Sequence, residues 1–354
     1  MTMTRRNFLK LGVGVGLGVG LGAALLPVAL SPAHAALVSR EMYVFGTLVN
    51  LGAEGAEPEV NHALDEIEHR FLGMNREWHA WKPGELSTLN AALAEGRAQA
   101  VSAGLEALLR GASHAAQASG DLFNPALGNL IGLWDFHSDV QQRAAPPSAD
   151  DVAALCACAP SMADLRFDAR GVSSVNPKVR IDLGGYAKGV AIDWALDHLA
   201  AQGLHNAVVN LGGNLAIAGQ RDGRPWHIGV RHPQGEGVIA AIDAQGREAI
   251  VTSGTYERYR EWDGQRYPHI IDPRSGQPAT HVVSATVIHA DAAWADAAAT
   301  ALVVAGAQDW PALAARMGIK QVMVIDEQGG VAMSAEIAPR VSFVGAPPAR
   351  VEVV

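Results

Sequence analysis

The sequence predicts an α+β fold, on two observations. Helical stripes and strand-like runs fall in separate blocks, and the stretch from Trp226 to Asp272 reads as a succession of short strands with no helix between them. Taken in order, Arg40–Leu51 reads as a strand interrupted at Phe45-Gly46-Thr47. Glu59–Leu72 places Val60, Ala63, Leu64, Ile67 and Phe71 on one stripe, the mark of an amphipathic helix. Asn75–Asn90, with Trp78 and Trp81, reads as loop-rich. Val101–Ser119 is a second helix, apolar along Leu105, Leu108, Leu109, Ala112 and Ala116 and closed by Gly120. Ser138–Asp151, with Pro146-Pro147, reads as a loop, and after Asp182 the pattern runs strand, helix, strand before the block of short strands. Ala292–Gly306 is the last helix, and short strands finish a chain without internal repeats.

The 354 residues carry 27 Lys+Arg against 36 Asp+Glu, a net charge of −9. The first 35 residues contribute Arg5, Arg6 and Lys10 and no acid, which leaves 24 basic against 36 acidic residues in the remainder. A surface that acidic repels phosphate backbones and anionic lipid, so nucleic acid and peripheral membrane are poor partners. With 49% hydrophobic and 18% charged residues, the composition is that of a globular chain with ample core.

Residues 1–35 read as a twin-arginine export signal: Thr4-Arg5-Arg6-Asn7-Phe8-Leu9-Lys10, an apolar run from Leu11 to Leu30, then Ala33-His34-Ala35 as a small-x-small cleavage site. The run is also long enough for a membrane anchor. Its glycines fall on even positions from 12 to 22, which excludes a dinucleotide fingerprint. The expected mature protein is residues 36–354, one catalytic unit in the periplasm. Cys156 and Cys158 have no further ligands at zinc spacing, and they read either as a strained disulfide or as two small apolar residues on an Ala-rich helix.

Four segments carry chemistry. In Arg180-Ile181-Asp182-Leu183-Gly184-Gly185-Tyr186-Ala187-Lys188-Gly189 a strand enters a two-glycine turn and leaves as a helix, a turn that serves either packing or the binding of anionic oxygens by the unpaired N–H groups of the helix start. Lys188 in that first turn opposes the helix dipole, a cost that an anionic ligand would explain. Asp296 and Thr300 lie four apart on an otherwise apolar helix, so their oxygens share one face. A buried carboxylate there needs a cation: a divalent ion such as Mg²⁺, or an arginine, with Thr300 then bonded one turn back. Val251–Tyr259, an Asp263-Gly264 hairpin turn and Tyr267–Gly276 place His269 at the start of a short apolar strand, where it is either one structural histidine among thirteen or an imidazole that can take a proton from a hydroxyl. Arg258 and Arg274 in that segment bind phosphate or pair with the acidic surface. Gly120–Leu130 sets Leu122 and Phe123 beside Asn124-Pro125, suited to holding a planar ring or to core packing.

In this order the segments resemble the ApbE family of FAD:protein FMN transferases. Phe45-Gly46-Thr47, Trp81-Lys82-Pro83 through Ser87 to Asn90, Phe123-Asn124-Pro125, Asp182 to Gly189, Asn210-Leu211-Gly212-Gly213-Asn214, Ser253 to Tyr259 with His269 to Pro273, and Ala295-Asp296-Ala297 to Thr300 all stand in register. The resemblance covers roughly Arg40 to Arg340. It implies a T-fold-like arrangement of mixed antiparallel sheets flanked by helices. It also implies that FAD is the substrate, that a Thr or Ser hydroxyl of a partner flavoprotein attacks the FMN-side phosphorus, and that AMP leaves. By resemblance Mg²⁺ is held by the Ala187 carbonyl, Asp296 and Thr300. His269 is the base or orients the hydroxyl. Phe45, Trp81, Leu122 and Phe123 line the ring pockets, with Asn124, Asp182, Gly184, Lys188 and Ile270 also at the nucleotide.

Four positions depart from the family pattern. Phe45 replaces a Met, Asn124 and Asn214 replace Asp, and Thr255 stands where Asp or Ser is frequent. The Asn124 and Thr255 departures leave open an FAD-holding module without transfer, and water in place of threonine would make the chain an FAD pyrophosphatase. The acceptor pattern Asp-Gly-x-Ser/Thr-Gly-Ala-Thr is absent from the sequence, so the expected acceptor is a separate membrane or periplasmic redox protein. Exported members of this kind resemble accessory factors of nitrous oxide respiration.

Overall fold

The computed structural model describes residues 36–138 and 140–354, so the export signal expected over 1–35 lies outside the described residues. Strands β1 (Leu37–Val44) and β2 (Thr47–Glu54) form a hairpin. Its two-residue turn, Phe45-Gly46, has φ of 55° and 71°, the doubly positive geometry that matches strand twist. Helix α1 (Glu57–Glu77) begins at Glu57-Pro58 with acids in its first turn and buries the expected stripe, extended by Met74. Helix α2 (Glu85–Ala94) corrects the loop expected before Asn90: Ser87 and the Gly84 backbone bond each other at the helix start, a cap that a Trp-Lys-Pro-Gly sequence hides. Helix α3 (Ala103–Ser119) starts where the Ser102 hydroxyl accepts the Leu105 N–H, and it ends at Gly120 with φ of 62°.

Short helices α4 (Gly128–Leu133) and α5 (Ala149–Ala157) follow, then a small hairpin of β3 (Leu165–Asp168) and β4 (Gly171–Ser174). Cys156 lies on α5 and Cys158 ends it, both as free thiols. The strand expected before Asp182 is only an isolated bridge between Leu127 and Arg180, because that segment is held by Asn90 and Pro125 instead of a neighbouring strand. The order then runs α6 (Ala187–Ala201), β5 (Ala207–Leu211), β6 (Asn214–Ala218), β7 (Trp226–Arg231), β8 (Val238–Ala244), β9 (Glu248–Gly254), β10 (Tyr259–Trp262) and β11 (Gln265–Pro268). Asp263-Gly264 is the β10–β11 turn, as expected, but His269 follows β11 instead of opening a strand. The rest is β12 (Val282–His289), α7 (Ala292–Arg316), β13 (Gln321–Asp326), β14 (Val331–Met333), β15 (Val341–Phe343) and β16 (Val351–Val353). Helix α7 breaks at Gly306, where φ is 84°, the residue at which the pattern ends.

Nine strands form the main sheet in the order β1-β2-β5-β6-β9-β12-β13-β14-β16, antiparallel throughout except for β14 with β16. Helices α1, α6 and α7 cover one face, and α3 packs on α7. The other face packs on a three-stranded sheet, β15-β8-β7, through Ile217, Trp226, Ile242, Ile250, Ile288 and Met323. The architecture is three layers: helices, large sheet, small sheet. Each fully buried aliphatic side chain contributes about 2 kcal/mol to this core.

The registers put three loops at one end of the sheet. Val49 pairs with Leu211, Leu211 with Asn214, and Asn214 with Val251, so the Phe45-Gly46 turn, the Gly212-Gly213 turn and the segment after Gly254 lie together. Strand β12 leaves that end and α7 returns toward it. Thr300 on α7 consequently meets Ser253 near the end of β9, with hydroxyl oxygens 3.2 Å apart.

Candidate active site

Two helices build the floor. Alpha helices α6 and α7 cross where Gly189 faces Ala292 and Ala293, so closely that a Cβ on Gly189 would lie 2.4 Å from the Ala292 carbonyl oxygen and the Ala293 Cα. Small residues on both helices permit this approach. Asp193 on α6 locks the crossing by accepting the Ala292 and Ala293 N–H groups at 2.9 and 3.1 Å, while Asp291 caps Trp294. Desolvation, with Asp291 alongside, holds the Asp193 carboxyl above the usual carboxylate range.

The crossing brings the expected ion-binding residues to one side of the molecule. Asp296 is 2% exposed, and its carboxylate lies 3.5 Å from the Lys188 ammonium, which also donates to the Gly184 carbonyl at 2.5 Å. Ala187 directly precedes Lys188 in the buried first turn of α6. A cation at a helix start is therefore balanced by a buried acid from α7, and the partner of Asp296 is a lysine, not the arginine weighed from sequence. Thr300 bonds Ser253 across the layers instead of a carbonyl one turn back. Gly185 lies against Thr300 and Phe123, where a Cβ would approach within 3.2 and 3.3 Å. Closeness, not a positive φ, is what favours glycine there.

Among the described residues no three His, Cys, Asp or Glu side chains cluster as a metal site. The donors present are one buried carboxylate, one hydroxyl and a backbone carbonyl, and the carboxylate has a single ammonium at 3.5 Å as its counter-charge. That hard-oxygen set fits a divalent cation such as Mg²⁺.

Trp81 forms one wall. Its indole N–H donates to Asp182 at 2.8 Å, and the Arg180 guanidinium covers the ring 3.9 Å from its centroid. Asp182 accepts the Gly184 N–H with its other oxygen at 2.9 Å. The carboxylate expected at the nucleotide thus ties the tryptophan to the glycine turn, a role visible only in three dimensions. Phe123 is buried against Tyr186, and Leu122 is half-buried beside the same core. Asn124 donates to the Pro160 carbonyl at 2.9 Å and accepts the Ala126 N–H at 3.0 Å. An aspartate could not supply the first bond, so this departure from the family pattern organises the loop. Phe45 packs edge-on against Phe71 of α1 at the hairpin tip.

His269 lies within electrostatic reach of Lys188. Its Nδ1 is 3.0 Å from the Arg258 carbonyl, which can only accept, so Nδ1 carries the hydrogen and Nε2 the lone pair. Burial first, then Arg258 and Lys188, push its pKa down to about 4. The buried Ile270 follows it. Glu257, which the sequence did not single out, is exposed beside the Gly213 turn, where a Cβ would come within 3.6 Å of its Oε1. Desolvation raises its pKa against the opposing pull of Arg231 and Lys188. No spacing signal marks it, because its neighbours come from α6, β7 and the Gly213 turn.

Residues 45–323 match the model of the ApbE family. The chain is 43% identical over 329 residues to an FAD:protein FMN transferase of Rhodobacter capsulatus, covering 92% of this chain and 63% of that relative's length. It is 36% identical over 336 residues to the FAD:protein FMN transferase of Treponema pallidum, covering 87% of this chain and 90% of the relative. The fold is similar to the crystal structure of the ApbE protein of Thermotoga maritima, with a TM-score of 0.79 and 29% identity over 86% of this chain and 99% of that one. With its matched segments running from the β1–β2 turn into β13, the chain belongs to the ApbE family.

Proposed function

We propose that this protein is an FAD:protein FMN transferase that moves FMN from FAD to a Thr or Ser hydroxyl of a partner redox protein. The observation that carries the reading is the α6–α7 crossing, which gathers Lys188, the Gly184-Gly185 turn, Asp296 and Thr300 at one place. The turn and Lys188 bind the diphosphate. Asp296, Thr300 and the Ala187 carbonyl hold Mg²⁺, which when bound offsets diphosphate charge and polarises its oxygens. Trp81, Phe123, Leu122 and Phe45 bind the rings. His269 Nε2 orients the incoming hydroxyl and takes its proton as the oxygen bonds to the FMN-side phosphorus. The bond from that phosphorus to the bridging oxygen breaks, and AMP leaves with the electron pair. Displacement at phosphorus is mainly positioning and charge stabilisation, which suits a site with few titrating groups.

The reading extends to place. The twin-arginine signal exports the folded protein to the periplasm, where a membrane or periplasmic flavoprotein is the acceptor. Incubating residues 36–354 with FAD, Mg²⁺ and a fragment bearing Asp-Gly-x-Ser/Thr-Gly-Ala-Thr tests the activity. Fluorescent flavin fixed to the fragment with one AMP per flavin supports transfer. Free FMN with AMP would make the protein a pyrophosphatase, and bound but intact FAD a holding module.

A further inference from the structure

The loop after α4 carries a feature that the proposed chemistry does not use. Asp135 is 1% exposed, and its Oδ2 accepts the Gln142 and Arg143 N–H groups at 2.5 and 3.2 Å. The neighbouring Arg260 lies with Nε 3.6 Å from the same oxygen. The other oxygen, Oδ1, is buried without a hydrogen-bond partner. It faces His137 Nδ1, also buried and unpartnered, at 3.8 Å. The His137 side chain is nonetheless 30% exposed, so the edge that reaches solvent is the one bearing Nε2. Its ring lies 5.2 Å from the Trp81 ring at 44°. Phe136, the residue before His137 in sequence, packs edge-on against His269.

We propose that His137, supported by Asp135, binds one planar nitrogen-ring end of the dinucleotide against Trp81. This rests on FAD being the substrate. Position separates the role from that of the diphosphate groups. Lys188 bonds Gly184, Gly184 bonds Asp182, Asp182 bonds Trp81, and His137 lies one ring beyond. Arg180 covers the Trp81 ring and the Trp81 N–H is spent on Asp182, and the outward Nε2 edge of His137 adds a polar edge to this wall. Asp135 Oδ1 stands behind the imidazole within ion-pair reach of Nδ1, which leaves the Nε2 edge facing outward.

The test uses residues 36–354 with Mg²⁺ and measures Kd for FAD, FMN and ADP by quenching of tryptophan fluorescence, alongside the kcat and KM of transfer. His137→Ala weakens FAD about tenfold, the scale of one aromatic contact. It weakens either FMN or ADP by the same factor and leaves the other unchanged. Loss with FMN places His137 on the isoalloxazine, loss with ADP on the adenine. KM for FAD rises while kcat holds, and His137→Phe recovers most of the stacking. Equal weakening of FMN and ADP, or no change in any Kd, overturns the proposal. If the unaltered protein binds FAD and the variant binds it equally well, this proposal falls alone. If the unaltered protein does not bind FAD, the functional reading falls with it.

Discussion

Gly189→Ala probes the crossing on which the site depends. The added Cβ would lie 2.4 Å from Ala292 O and Ala293 Cα, both backbone atoms, whereas ordinary contact begins near 3.4 Å. Backbone cannot swing aside as a side-chain end can, so α6 and α7 must separate by about 1 Å. Overpacking of this kind costs about 1–3 kcal/mol, and the gain of up to ~1 kcal/mol from replacing glycine within a helix offsets part of it. The same displacement carries Lys188 away from Asp296 and Gly185 away from Thr300, and a misplacement of about 1 Å can lower turnover by about 10²-fold. Urea denaturation and FMN transfer are measured on one preparation. Gly104→Ala is the control, since its nearest neighbour beyond the helix is the Ser102 hydroxyl at 3.9 Å. Unchanged midpoint and turnover in Gly189→Ala, matching the control, would refute the claim that this approach sets the site.

Further expectations follow from individual side chains. His269 has a folded pKa of about 4, below its unfolded value near 6.5, so folding favours the neutral ring. Its contribution to stability is full above the unfolded value and is lost as pH falls through about 4; transfer should hold from pH 8 to near 5, and a decline centred at 6.5 would contradict the assignment. Asp193 is shifted the other way, so its ionisation costs stability as pH rises through its folded pKa. Asp193→Asn, which keeps an oxygen for the two N–H groups, should flatten the dependence of melting temperature on pH in the mildly acidic range. Asn124→Asp removes the donor to Pro160 and should lower stability by about 1 kcal/mol in thermal melts, with Phe123 less well held.

The elements that could be read from sequence are those with local causes. The stripes of α1 and α3, the Gly120 cap, the Asp263-Gly264 turn and the stop at Gly306 follow from periodicity and from residues that adopt special φ. Helix α2 was hidden because its start is capped through a glycine backbone and a Ser, behind a proline. At the site, the residue types and spacing of Asp296, Thr300 and the glycine turn carried the reading. Their partners did not: Lys188 for Asp296, Trp81 for Asp182 and Asp135 for His137 are set by helix crossing and loop closure. Two of these join residues about a hundred positions apart. Asp135 and His137 are neighbours in sequence, but their meaning depends on Trp81 alongside.

The most direct test of the central claim is mass spectrometry of the acceptor fragment after incubation with FAD and Mg²⁺ and either the unaltered protein or Asp296→Ala. The account predicts one FMN per fragment and one AMP released with the first, and no modified fragment with a soluble, folded Asp296→Ala. Undiminished modification by Asp296→Ala would contradict it.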